Sequence, residues 1–498
     1  TFPGALTVND GVLELGGAGR FAAGSYSGAI SLSSASSVLQ IATSTNQILS
    51  GGISGSGSLT KSGTGTLTLS GSNSYAGGTT VSGGTLTASH ANALGDAAGA
   101  ITVNGATPGS TVLNVNANMT RTGTVTLDGG DLGTGNGSTL TINGGGFVFT
   151  GGYASAGGVV LAGSSGLTNT ASDGRLWAQA TYTGDTVVNS GTLRIAGVGG
   201  IPTNSAVSIA SGAAVNLTSY YAPTGINRTI GGLTGAGVLY GVDGTVTVNK
   251  TSGSDTFSGV ISGAQGLIKA GAGTLVLAGT NTYSGATLVS GGALALHGNS
   301  SSAQITVSAA AVLDLRAAPT ATTSGSVSFD PGSSVSVSGT PSGQTVTLLT
   351  ASGGIFGTPS LVPVPGYALV VNPNSLVLQV SGSTFSGWLG TNAPTPQLLT
   401  NYAFGAVSPT NALNSSNAPT YSATNNQFIL DYFVRTGDTN LVAEAQATTD
   451  LAAGPWTTNG VSNSVIGTNT VDGVTLQQRR ASVPITGTKK FLRLWITE

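Results

Sequence analysis

The chain holds no cysteine, one methionine and two histidines among 498 residues. Without cysteine no disulfide staples the fold, and a long repetitive core needs none. Charge is scarce too. Charged residues make up 6% of the chain, against roughly 25% in an ordinary soluble protein. The net charge of −2 offers nothing to attract nucleic acid or an anionic membrane. No apolar run reaches the 18 or so residues that a transmembrane helix requires. The 17 acidic residues are spread thinly, so the carboxylate cluster that polysaccharide lyases and hydrolases use for acid/base work is missing. No glycine-rich stretch lies between a strand and a helix, which removes a phosphate loop.

What the chain has instead is glycine, 80 residues of it, and short alternating runs. Thr66-Leu67-Thr68-Leu69, Thr79-Thr80-Val81 and Thr85-Leu86-Thr87 place small polar and apolar residues in turn. Period-two alternation predicts strands with one buried and one wet face. Glycine and serine pairs sit between the runs, where a chain turns. The stretch Gly55–Leu86 recurs without a gap at Gly263–Leu294, each position 208 later. Leu59/Leu267, Lys61/Lys269, Asn73/Asn281, Tyr75/Tyr283 and Gly77/Gly285 are among the identities. A worn copy lies at Leu176–Ile195, where Tyr182-Thr183-Gly184 echoes Tyr75-Ala76-Gly77. Short strands, tight corners and internal repetition predict a coil whose successive turns pair in parallel, a β-solenoid.

The pattern G-x-G-x-L-x-K-x-G-x-G-T-L-x-L-x-G-x-N-x-Y-x-G-x-T at 55–79, with its copy at 263–287, resembles the autotransporter-associated β-strand repeat of bacterial surface and secreted proteins, also called the passenger-associated transport repeat. The resemblance implies a right-handed parallel β-helix exported from the cell, hence an extracellular or cell-surface location. It implies no activity. Autotransporters end in a membrane barrel of many alternating strands, and the roughly 115 residues after 383 are too few for one. The chain opens at Thr1 without a charged-then-apolar leader, which reads as a processed or fragmentary form.

The expected architecture is all-β. A solenoid spans 1–343, with clear repeats at 46–86 and 254–294, and 344–383 closes its last layer as a cap. At roughly 25 residues per turn, about 380 residues make about 15 turns, stacked at about 4.8 Å. Residues 384–498 carry 12 charged residues against 20 in the first 383, and hold three of the four tryptophans. They read as a small antiparallel β-sandwich, with 392–426 as a linker or long loop.

No catalytic residue and no cofactor emerges. Asp128, Asp131 and Asn136 in LDGGDLGTGNGS form a weak calcium candidate, since oxygen ligands suit that ion; a glycine-rich corner with exposed aspartates is the plainer reading. His90 and His297 follow the two repeats at nearly corresponding places without a companion ligand and read as solvated corners. Tyr75, Tyr182 and Tyr283 read either as packing between coils or as an aromatic strip for sugar rings. Asn73 and Asn281 read as corner residues or rungs of an asparagine ladder. Lys489, Lys490 and Arg493 form a small basic patch. The expected function is a non-enzymatic structural rod that self-associates end to end. A glycan- or surface-binding adhesin is the alternative, and a polysaccharide-degrading enzyme the third choice.

Overall fold

The computed structural model describes residues 4–133, 137–195, 200–217, 226–343 and 345–380, and beyond them the segments 420–424, 427–435, 442–448, 461–471, 474–484 and 491–497. The chain is almost wholly β, a parallel β-solenoid of about 15 turns followed by antiparallel sheets. Its one helical turn among the described residues is the 3-10 segment Ala22–Gly24. Two compact units separate. The first comprises Thr1–Asp314, Ala321–Ser334 and Ala351–Gly357, the second Leu315–Thr320, Val335–Thr350 and Thr358–Glu498.

In the first unit each turn visits up to three faces in a fixed order. Face one begins with a three-stranded ladder, Leu6–Val8, Ile30–Leu32 and Ile53–Gly55. It resumes in a four-stranded ladder from Met119–Arg121 to Gln179–Ala180, and again in a seven-stranded one opening at Arg228–Ile230. Face two runs unbroken from Val12–Gly17 to Ala293–Leu296. Face three is a twelve-stranded ladder from Ser25–Tyr26 to Val260–Gly263. Among the described residues these ladders pair in parallel, as in Leu59↔Thr79↔Ile101↔Val125.

Alternation decides the core. Leu67, Leu86 and Leu113 stack inward on face three at 0% exposure, while Thr68, Thr87 and Asn114 point out. Stacked apolar layers bury the surface that single short strands could not. Turn length varies: Leu59 pairs with Thr79, 20 residues on, whereas Val12 pairs with Val38, 26 on. The corners absorb the difference, so inward registers survive.

The two clear repeats do not occupy the same faces. In the first, Ser58–Lys61 lies on face two and Thr66–Leu69 on face three. In the second, the matching Gly266–Ala270 lies on face one and Thr274–Leu277 on face two. The 208-residue spacing is therefore not a whole number of turns.

In the second unit Thr345–Thr350 pairs antiparallel with Ser375–Gln379, and Tyr367–Asn372 with Ser375–Val380. Leu348, Leu349, Leu376 and Leu378 are fully buried. Further on, Thr420–Thr424, Gln427–Arg435, Val474–Pro484 and Ser462–Val471 form an antiparallel sheet, and Val442–Thr448 pairs with Phe491–Thr497. The stretch expected as linker, 392–426, thus ends in a strand at Thr420–Thr424. Its polar composition hid a partner, since that strand is ordered by pairing with Phe428–Asp431. Residues 392–419 lie outside the described ones.

Candidate functional site

The side chains that recur in the repeats converge on one buried network. Leu59, Leu67 and Leu69 point inward, and by the same alternation so does Lys61, at 0% exposure. Its Nζ donates to the carbonyl of Gly63 and, at 3.0 Å, to that of Gly83 one turn above. Lys269 is equally buried, and its Nζ donates to Ala270, Gly271 and Gly291 carbonyls at 2.8, 2.9 and 3.1 Å. Burial pushes each ammonium down to about 8. The acceptors lie at and just after the strand's end, where a buried carbonyl left without a donor would be costly.

The worn middle copy solves the same problem with a neutral group. Asn169 stands where the lysines stand, at 0% exposure, and its Nδ2 donates to Ala171 and Ser190 carbonyls at 3.1 and 2.9 Å.

The tyrosines follow one rule in all three copies. Tyr75, Tyr182 and Tyr283 are at most 1% exposed. Their hydroxyls bond the threonine four residues on: Thr79 at 2.7 Å, Thr186 at 2.8 Å and Thr287 at 2.6 Å. Burial raises the phenol pKa of each. Rings held inside the coil cannot stack on a sugar, so the aromatic strip is excluded and packing between coils remains.

Asn73 and Asn281 are also buried, and each bridges turns. Asn73 accepts from the Ile53 amide at 2.8 Å and donates to Ala93 O at 2.6 Å. Asn281 accepts from the Ile261 amide at 2.9 Å and donates to Gly279 O at 2.9 Å. No asparagine ladder forms there, because Ser300 and then Thr323 stack over Asn281.

Glycine is demanded at two motif positions. A Cβ at Gly77 would sit 2.7 Å from the Gly57 backbone, and one at Gly285 2.4 Å from that of Gln265. The corner glycines Gly84, Gly191 and Gly292 have φ of +62°, +62° and +60°, the left-handed region that glycine reaches without penalty.

The calcium candidates part company. The Asp128 carboxylate accepts from Thr150 Oγ1 at 3.1 Å, that of Asp131 from the Gly109 amide at 2.6 Å, and Asn136 lies outside the described residues. No group of three histidines or acidic residues that could hold a metal occurs among the described residues. His297 corrects the reading of a solvated corner. Its Nε2 lies 2.9 Å from Asp314 Oδ2, with the two side chains 11% and 14% exposed. The two are 17 residues apart in sequence, so no local pattern announces the pair. His90 Nδ1 accepts from the Asn92 amide at 3.0 Å. Lys489 and Lys490 lie outside the described residues, as does the side chain of Arg493.

Sequence reasoning missed three features. Asp173 receives Arg175 at 2.7 Å and Arg194 at 2.6 Å on the outer side of face three. Arg121 is 1% exposed, and its Nη2 donates to Asp96 and Gly99 carbonyls at 2.6 and 2.8 Å. A cavity of about 450 Å³ opens where the face-one ladder is interrupted, walled by Tyr182, Val207, Val215, Leu239 and the buried Arg228. Its described lining includes no carboxylate. The arrangement satisfies backbone and binds coil to coil.

Comparison with known families agrees with this geometry. Residues 59–88, 154–195 and 267–296 match the passenger-associated-transport-repeat family, and they contain the Lys61, Asn169 and Lys269 positions and the three tyrosines. The middle match begins earlier than the worn copy read from the sequence. No curated protein and no solved structure matches the chain. The chain thus contains a parallel β-solenoid, three segments of which match the passenger-associated-transport repeat.

Proposed function

We propose that the chain is a non-enzymatic structural protein, a stiff solenoid stalk displayed at the bacterial surface or released from it. The observation that carries this reading is where the repeated residues go. Lys61, Asn73, Tyr75 and their counterparts in the last copy are all buried in contacts between turns. A repeat maintained for catalysis would present reactive groups to solvent; this one serves the stacking of coils. The matched family fits a secreted or surface-exposed passenger. Residues 1–383 are poor in charge, which removes the self-repulsion that keeps extended molecules apart.

The further step is a filament. Parallel ladders end in strand edges, and edges accept another chain. A head-to-tail contact that does not close propagates as a fibre. Electron microscopy of the purified native protein tests this. Regular fibres with an axial repeat near one subunit length are expected. Monodisperse monomers at high concentration, with no fibres on cells, would overturn the filament. A glycan array with reproducible hits would move the reading to an adhesin.

A further inference from the structure

Face two differs from its neighbours in what it shows to solvent. Thr60, Thr80, Thr102 and Thr126 stack in register, one per turn. Val148 follows, then Thr168, Val187, Ser208 and Thr234. All are partly or fully exposed. No register shift occurs along the column, although the intervening corners vary in length. At about 4.8 Å per rung the nine positions extend roughly 40 Å.

The column contains no charged and no aromatic side chain. Below Thr60 the same register continues through Gln40 to Glu14, and the column's other charged neighbours are Asp128, two residues past Thr126, and Asp185, two residues before Val187. Strand propensity alone does not explain this. Face three has the same backbone geometry, yet the column that starts at Thr66 and Thr85 continues through Asp131, Arg175, Arg194 and Tyr240. Face one carries Ile268 and Leu288 outward.

A rigid, neutral, periodic surface is matched by a ligand that is neutral and periodic. An added peptide strand docks on edges, not on faces. A nucleic acid needs cations, and sugar rings favour aromatic platforms; the column has neither. Each threonine offers a hydroxyl, which donates to and accepts from water, beside a methyl that does neither. Repeated at fixed spacing, such groups hold the first water layer in their own period. A charged side chain would impose its own hydration shell instead.

We propose that face two between Thr60 and Thr234 binds ice. The inference is independent of whether the chain polymerises. The test is inhibition of ice recrystallisation by the purified full chain. It is compared with a Thr80→Lys/Thr102→Lys pair on face two and a Thr68→Lys/Thr87→Lys pair on face three, each checked by circular dichroism. The expected result is that the wild type and the face-three pair keep ice grains small, while the face-two pair needs a concentration at least about tenfold higher, a loss of about 1.4 kcal/mol. Should the lysine pair fail to fold, Thr80→Tyr/Thr102→Tyr replaces it, because tyrosine suits an exposed strand. A wild type that leaves grain growth unchanged overturns the proposal, as does a folded face-two variant that works as well as wild type. Sedimentation with crystalline cellulose, without an effect on ice, would assign the face to a polysaccharide surface and likewise overturn it.

Discussion

The first and last repeats bury a lysine where the middle repeat buries an asparagine. Lys61 and Lys269 hold corner carbonyls with an ammonium, Asn169 with a neutral amide. The backbone they serve is the same: Gly63, Gly271 and Ala171 are equivalent acceptors. What the site requires is therefore donors, and charge is incidental. The tyrosine–threonine pair is unchanged across all three copies. The worn copy has lost sequence identity while keeping a donor to the corner carbonyls and the tyrosine–threonine pair.

Breaking the shared element should cost most. Tyr75→Ala removes a fully buried ring and is expected to destabilise the surrounding turns by about 3–5 kcal/mol, read by hydrogen exchange of the amides between 53 and 103. Tyr182→Ala should cost a similar amount, which would show that the worn copy is as firmly packed as the clear ones.

Next is the variable element. Lys61→Ala leaves the Gly63 and Gly83 carbonyls without their donor and is expected to cost about 1–3 kcal/mol in urea unfolding. Lys61→Asn should recover most of that loss, because Asn169 already does this work in the middle copy. An asparagine variant as unstable as the alanine one would show that the ammonium itself is needed.

The pH response separates the copies further. Each lysine has a folded pKa of about 8 against 10.5 for the free group. Between those values the unfolded chain binds more protons, so stability rises with pH through that window. Tyrosine works the other way above pH 10, since its buried phenols resist ionisation. Comparing wild type with Lys61→Asn/Lys269→Asn cancels the tyrosine part. The expected outcome is a melting temperature that climbs between pH 8 and 10 in wild type relative to the double variant.

The smallest effect is expected for Thr79→Val, which deprives the Tyr75 hydroxyl of its partner and should cost about 1 kcal/mol. Thr79→Ser should be close to neutral. Thermal melts of the two variants side by side give the measurement.

Much of this network was legible in the sequence and part was not. The inward direction of Lys61 follows from its place two residues after Leu59 in an alternating strand. That it is caged by carbonyls does not, because one of them belongs to Gly83, in the next turn. Tyr75 and Thr79 are four residues apart, but the ring's burial depends on the coils packed around it. The pairing of His297 with Asp314, the reach of Arg194 to Asp173 and the bonds of the buried Arg121 join residues from different turns, and no local spacing encodes them. The strand at Thr420–Thr424 was hidden for the same reason, its order coming from a partner strand.

By itself the sequence determined the local grammar: period-two alternation, corner glycines with positive φ, and a buried polar residue at one motif position. These rest on backbone sterics and on the side-chain alternation of a strand, which act within a few residues. Only the tertiary structure decided which face each repeat occupies. The motif's partners lie one turn below and one turn above, and all three faces supply parallel strands at the same spacing. The identical motif therefore fits face two with face three at 58–69 and face one with face two at 266–277. The lengths of the intervening corners, summed along the coil, set that rotation.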